Sequence, residues 1–207
     1  VRVKEFLDSP VVTFEKEALL RAGAGLKRAL DAAGALALLV LWLPPLAVMT
    51  LASLSRGRRP LTVVQAAGLG GRTFEMLRLA PKERAGPMRR FAVRHGLAVY
   101  PSAWNILRGE MSFVGPQPMS SVDVGNLPPR ERVRYDARPG MTGLAQVSMA
   151  EGESSEEELR ALDVYYVQDW SLSEDVKILL RWITQCLVGR ASAASRRFEI
   201  PPDRRRS

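Results

Sequence analysis

Apolar positions along this chain form several distinct patterns, and each predicts a different element. From Ala32 to Ser55 no side chain is charged, and the centre of the run reads LVLWLPPLAVM (39–49). As one helix, these roughly 24 residues would extend about 36 Å, longer than a hydrocarbon core of about 30 Å. Pro44 and Pro45 stand at its middle, where proline removes a backbone donor and crowds the preceding turn, so the run should bend there. Lys27 and Arg28 precede it, and Arg56, Arg58 and Arg59 follow it. Cations are retained on the cytoplasmic side of a membrane, and here both ends are basic. A re-entrant helix over 32–55 that dips into one leaflet, turns at Pro44-Pro45 and returns to the same face meets both constraints. A kinked full span and a buried core helix are the alternatives.

Elsewhere the period changes. VRVKEFL and VVTFEKE alternate around Ser9-Pro10, which predicts short extended segments, so residues 1–25 read as an N-terminal extended segment. TVVQ (62–65) and RTFEMLRL (72–79) flank AAGLGG and predict a hairpin with a glycine-rich turn. GLGG has neither the spacing of a dinucleotide fingerprint nor a Walker lysine, so it reads as a turn. Residues 80–150 are rich in Pro and Gly and carry no long helical period, and irregular chain of this kind tends to hold sites. Ser155 with Glu158 forms a capping box that opens a helix toward Tyr166. Ser171 and Glu174 open another, whose Val176, Leu179, Leu180, Ile183 and Leu187 share a face and which Gly189 stops. Ile178 and Trp182 widen that stripe, so this helix packs on the core or lies on a bilayer surface. The fold class is mainly α with a small β component (α+β), held at a membrane from one side.

Composition narrows the partners. The 207 residues suffice for one domain, with or without an appendage. A net charge of +8 favours anionic partners: lipid headgroups, nucleotide phosphates or nucleic acid. No RRM-like aromatic motif, zinc-finger spacing or helix-turn-helix accompanies the cations, so nucleic acid is set aside in favour of lipid. Cys186 is alone, which excludes a disulfide framework and a cysteine metal site and fits a reducing cytoplasm. His95 is the one histidine and, among the cations of RRFAVRHG, reads as a surface residue. The apolar run is too long and too internal for a cleavable signal peptide.

The order of several blocks resembles the bacterial sugar transferase family, the monotopic polyprenyl-phosphate phosphoglycosyl transferases. Lys27, Arg28 and Asp31 match its Lys-Arg-x-x-Asp entry to a proline-broken re-entrant helix. WNILRGEMSFVGPQP (104–118), RPGMTGLAQV (138–147) and LDVYYVQDWSLSEDVKILL (162–180) continue the match. The resemblance covers roughly residues 25–188. It implies a sugar-transferase-like domain over 26–190 and a basic tail over 191–207, at the cytoplasmic face of a bacterial inner membrane. In the family, sugar 1-phosphate passes from a UDP-sugar to polyprenyl phosphate in polysaccharide or glycoconjugate biosynthesis. An Asp–Glu pair beside magnesium does the chemistry, with the aspartate as covalent nucleophile.

This chain departs from the family at the reacting groups. The pair belongs to a Leu-Asp-Glu-Leu-Pro-Gln-Leu-x-Asn block, which here reads LAVYPSAWN, with Ala98 and Val99 at the acidic positions. Neither side chain can attack phosphorus, bind magnesium or move a proton. Pro-Arg-Pro becomes Pro116-Gln117-Pro118, and Lys-Phe-Arg-(Ser/Thr)-Met becomes Arg78-Leu79-Ala80-Pro81-Lys82. Gln-x-Arg-x-Gly becomes Gln65-Ala66-Ala67-Gly68, one residue short and without its arginine. Arg138 and Arg78 are the candidate phosphate ligands, each against a structural ion pair. Glu110 belongs to the family's own Gly-(Asp/Glu)-Met-Ser stretch and has a functional reading and a turn or capping one. Trp170 and Tyr166 read as packing or interfacial anchors. The sequence thus points to an impaired transferase. The alternative is a non-catalytic membrane scaffold, a regulatory partner of an active homologue or of other pathway enzymes, or a lipid or nucleotide binder.

Overall fold

The structure, a computed structural model, describes residues 10–54, 61–79, 94–120, 127–152 and 155–190. The predictions for residues 1–9, the cations at 56–59 and 89–90, the Ala80-Pro81-Lys82 stretch and the 191–207 tail lie outside it.

Helix α1 runs from Pro10 to Leu54. Its start corrects the reading of residues 1–25 as extended, because the chain from Pro10 onward is helical. The alternation around Ser9-Pro10 spans too few residues to oppose a long helix on its C-terminal side. Proline at a first helical position costs no hydrogen bond, and a helix extends cheaply once a nucleus exists. Pro44 and Pro45 lie within α1 and do not end it. Among the described residues, no helix is long and apolar enough to cross a membrane.

The hairpin forms where the alternation predicts it. Strand β1 (Leu61–Ala67) pairs antiparallel with β2 (Thr73–Leu79), with Val64 opposite Met76 and Ala66 opposite Phe74. All four side chains are buried. The connecting Leu69–Gly71 turn has Gly70 at φ 65° and Gly71 at φ 73°, which favours the glycines found there. After the short helix α2 (Ala103–Arg108) come β3 (Ser112–Val114) and β4 (Met119–Ser120), and β4 joins the free edge of β1. Strand β5 (Gly140–Thr142) pairs parallel with β3. Helices α3 (Leu144–Glu151), α4 (Glu156–Gln168) and α5 (Leu172–Val188) complete the domain. Ser155 caps α4 reciprocally with Glu158, Ser171 caps α5, and Gly189 closes α5 in the left-handed conformation, all as predicted.

The β3–β5 pair depends on close backbone approach. A Cβ on Gly115 would lie 2.3 Å from the Arg138 carbonyl oxygen, and one on Gly140 would lie 2.2 Å from the Gly115 nitrogen. A Cβ on Gly143 would meet the Gly115 carbonyl oxygen at 2.2 Å. The three glycines therefore let the chain after β3 and the two ends of β5 touch backbone to backbone.

One turn of α1 fastens it to this domain. Asp31, buried, accepts from the Ser112 hydroxyl at 2.7 Å and the Phe113 amide at 3.1 Å. Lys27 pairs with Asp175 of α5, donates to the Val114 carbonyl at 3.0 Å and sits 5.8 Å from the Trp170 ring centre. Arg28 donates to the Ile106 and Leu107 carbonyls at 2.5 and 2.7 Å, at the end of α2. Ala35 then packs with Phe74, Met76, Ile106, Met111 and Met141 in the main core, and Leu38 and Leu39 lie against it. The Lys-Arg-x-x-Asp turn thus reaches α2, β3 and α5. Replacing Asp31 with Ala strands a buried amide and hydroxyl and should cost about 2 kcal/mol. Leu30→Ala, at a residue 54 % exposed on the same turn, should change stability by under about 0.5 kcal/mol. Urea unfolding of the purified chain in a mild detergent measures both.

Candidate functional site

The segment where the resemblance places an acidic pair is a 3-10 turn, Leu97–Ser102, entered through Gly96 at φ 69° and leading directly into α2. Ala98 is 7 % exposed, and Val99 packs against the main core. The Ser102 hydroxyl donates to the Val99 carbonyl at 2.5 Å. Tyr100 stacks on Trp42 of α1, ring centres 4.5 Å apart, and lies 6.2 Å from the Trp182 ring of α5. Burial pushes its hydroxyl up to about 12, so the ring stays neutral. The turn is seated by apolar and aromatic contacts.

Asn105, buried in α2, ties this turn to its surroundings. Its amide nitrogen donates to the Glu75 carbonyl at 2.6 Å and to Glu110 Oε2 at 2.7 Å, while its side-chain oxygen accepts from the Leu77 amide at 3.1 Å. Every hydrogen-bonding atom of the amide is thus engaged at least once. Glu110 also pairs with Arg108 at 3.2 Å. Both Glu110 carboxylate oxygens brace the turn after α2.

Arg138 follows a third course between ligand and ion pair. Its Nε donates to the Gly109 carbonyl at 2.8 Å, so together with Arg28 it caps the C-terminal end of α2, where cations are favoured. Among the described residues, no partner holds its Nη groups. Arg78 lies on β2 opposite Thr62 and is half-buried. Gln117, at the lost arginine of Pro-Arg-Pro, is fixed through its backbone. Its amide donates to Asp163 Oδ2 and its carbonyl accepts from Arg134, each at 3.1 Å. Arg134 and Asp163 form a buried ion pair beneath it. Burial raises the Asp163 carboxyl to about 6, against the lowering effect of Arg134.

Several residues of this assembly carry no distinctive sequence signal. Arg134 and Asp163 are far apart in the chain, and Asn105 looks like one polar residue in a short helix. His95 corrects its reading as a surface residue: it is half-buried, with Nδ1 2.7 Å from the Cys186 carbonyl oxygen. Trp170 and Tyr166 are packing residues. Tyr166 donates to Asp175 at 2.6 Å, and Trp170 donates to the other oxygen of the same carboxylate at 3.1 Å.

Magnesium does not fit the replaced pair. Ala98 and Val99 offer no ligand atom in their side chains, and among the described residues no group of three His, Cys, Asp or Glu could hold a metal ion. Burial pushes the Cys186 thiol up to about 11.

A small α+β domain braced on one long helix thus carries Ala98 and Val99 in the apolar turn that leads into α2. The chain belongs to the bacterial sugar transferase family, whose model matches residues 22–189. It is similar to the UDP-glucose:undecaprenyl-phosphate glucose-1-phosphate transferase of Caulobacter vibrioides, with 34% identity over 185 residues, 78% of this chain and 69% of that protein. It is also similar to the UDP-galactose-lipid carrier transferase of Erwinia amylovora, 31% identical over 189 residues, 76% of this chain and 39% of that protein. The exopolysaccharide production protein ExoY of Rhizobium meliloti is 37% identical over 92 residues, 44% of this chain and 40% of that protein. The chain thus spans about two thirds of the first relative and less than half of the other two.

The raised thiol gives a direct test of the site's packing. Cys186 should react with iodoacetamide far more slowly at pH 7 than a free cysteine. Its rate should keep climbing toward about pH 11, where the thiolate becomes the major form.

Proposed function

We propose that this chain is a membrane-bound member of the bacterial sugar transferase family that does not itself transfer sugar phosphate. It acts instead as a scaffold or regulatory partner for an active homologue, and retains the capacity to bind a nucleotide diphosphate sugar. The observation that carries this reading is the seating of Ala98 and Val99. A buried methyl group and a core-packed isopropyl group occupy the turn where the family has its reacting carboxylates.

The neighbouring acids do not take over. Glu110 is held by Asn105 and Arg108, Asp31 by β3, and Asp175 by Lys27, Tyr166 and Trp170. Removing a nucleophile costs on the order of 10⁶ in rate in the subtilisin case. Cations that offset phosphate charge matter as much, and Gln117 supplies none. The relatives' names supply the substrate class: a UDP-sugar and a polyprenyl phosphate. Arg138 is the phosphate ligand in this reading, its Nε anchoring the guanidinium and its Nη groups facing the ligand.

The membrane part of the proposal rests on α1. Leu36, Val40, Leu41, Leu43, Val48 and Leu51 are each more than half exposed, a costly arrangement in water. Pro44 and Pro45 lie among them and loosen the helix, so the segment enters one leaflet and turns back. The domain then stands at the cytoplasmic face of a bacterial inner membrane.

Three measurements test these statements. Purified chain incubated with a panel of UDP-sugars and polyprenyl phosphate should release no UMP above background, with or without magnesium. Clear turnover by the unmodified chain would overturn the loss of activity. UDP-sugar should raise the melting temperature, as any ligand selective for the native state does, and Arg138→Ala should abolish that rise. For topology, single cysteines at Leu26 and Gly57 in a Cys186→Ser background should both label from the cytoplasmic side. Labelling from opposite sides would establish a full span.

A further inference from the structure

Tyr100 stands two residues after Ala98, where the family pattern has a leucine. Its ring stacks on Trp42 of α1, 4.5 Å between centres, and lies 6.2 Å from the Trp182 ring of α5. Trp42 also hydrogen-bonds to its hydroxyl, and the Cys186 thiol, one turn beyond Trp182, lies near the same group. All four side chains are half-buried. Helices α1 and α5 meet at Lys27 and Asp175. About 22 Å further along α1 they meet again, this time through the Tyr100 ring.

The neighbours of the two tryptophans show which way this seam faces. Leu41 and Leu43, either side of Trp42, are 74 and 68 % exposed. On α5 the apolar stripe divides: Ile178 is 1 % exposed and takes the core, while Leu180 and Ile183, beside Trp182, are 59 and 47 % exposed. Behind the rings, Ala98 is buried and Val99 packs on the main core. The rings thus stand between the outward apolar surface of α1 and α5 and the turn that holds Ala98 and Val99. Three elements each contribute one ring, so the contact is lost if any one of them is shortened. A leucine at 100 would lack the flat faces that Trp42 and Trp182 meet.

We propose that Tyr100, clasped by Trp42 and Trp182, is an autoinhibitory plug that closes the Ala98–Val99 turn to the prenyl chain of a lipid phosphate. The proposal deepens the non-catalytic reading and rests on its membrane part, because a polyprenyl phosphate reaches the domain from the bilayer. An isoprenoid chain entering between α1 and α5 has to part the three rings. Stacked and tilted ring pairs hold together more strongly than their contact area alone provides, and the hydrogen bond from Trp42 fixes the tyrosine in place. The plug is separate from the loss of carboxylates: one removes the reacting groups, and the other excludes the acceptor lipid. Both changes lie in the same turn.

Cys186, the one cysteine in the sequence, serves as the probe. The full chain is placed in vesicles of phosphatidylglycerol and phosphatidylcholine, with or without undecaprenyl phosphate, and its alkylation by iodoacetamide is timed at fixed pH. Wild type and Tyr100→Phe, which keeps the ring, should react slowly and at one rate whether or not the lipid phosphate is present. Tyr100→Leu should react about tenfold faster, because the covering ring is gone. Undecaprenyl phosphate should then slow it back toward the wild-type rate by filling the space. Trp42→Leu opens the contact from α1 and replaces Tyr100→Leu if that variant loses its melting transition. Slowing of the wild-type reaction by undecaprenyl phosphate would overturn the plug. So would a Tyr100→Leu rate equal to that of wild type, or one that the lipid phosphate leaves unchanged. Vesicle flotation reads the membrane part separately: a chain that floats keeps that reading even where the plug fails, and one that does not float overturns both.

Discussion

The attachment of α1 to the domain depends on three charged side chains placed within five residues of helix. Lys27, Arg28 and Asp31 each end on specific groups of the domain: a buried carboxylate, the last carbonyls of α2, and the amide and hydroxyl that open β3. Polar contacts of this kind are directional, so they fix rotation and register along α1 as apolar packing cannot. The apolar side of α1 can then face away from the domain at a set azimuth. Asp175 extends the same constraint to α5, because it holds Lys27, Tyr166 and Trp170 together. A single turn thus orients α1 and α5, the two helices with several exposed aliphatic residues.

Local signals in the sequence are legible. The hairpin comes from alternation around a glycine turn, and the ends of α4 and α5 come from Ser155, Ser171 and Gly189, because caps and turns are set by residues a few positions apart. Family membership is legible for a similar reason, since several ordered blocks must match together. Interactions across the chain are not legible. Nothing near Asn105 reveals that it joins β2 to Glu110, and nothing near Arg134 names Asp163. Residues 10–25 mislead because a few alternating positions weigh less than helix propagation from a distant anchored turn. The α5 stripe is visible in the sequence, but periodicity gives the width of an apolar arc and not which part of it meets the domain.

The candidate site shows the same division. That Ala98 and Val99 cannot react is evident from their chemistry. What they do instead depends on three-dimensional placement: Val99 joins the core, and Tyr100 is held between two tryptophans. From sequence, Arg138 reads as a phosphate ligand or one half of an ion pair. Its Nε instead caps α2, a role that leaves the rest of the guanidinium available. Residues kept from the family therefore need not be kept for one reason. An arginine that completes a helix end contributes to folding whatever its Nη groups do.

The glycines at 115, 140 and 143 set a limit of a different kind. At these positions the limit is space, and a single methyl group would push two backbones apart. At positions 98 and 99 the turn is filled by a buried methyl group and an isopropyl group packed on the core. Folding therefore restricts positions 115, 140 and 143 to glycine independently of the chemistry at 98 and 99.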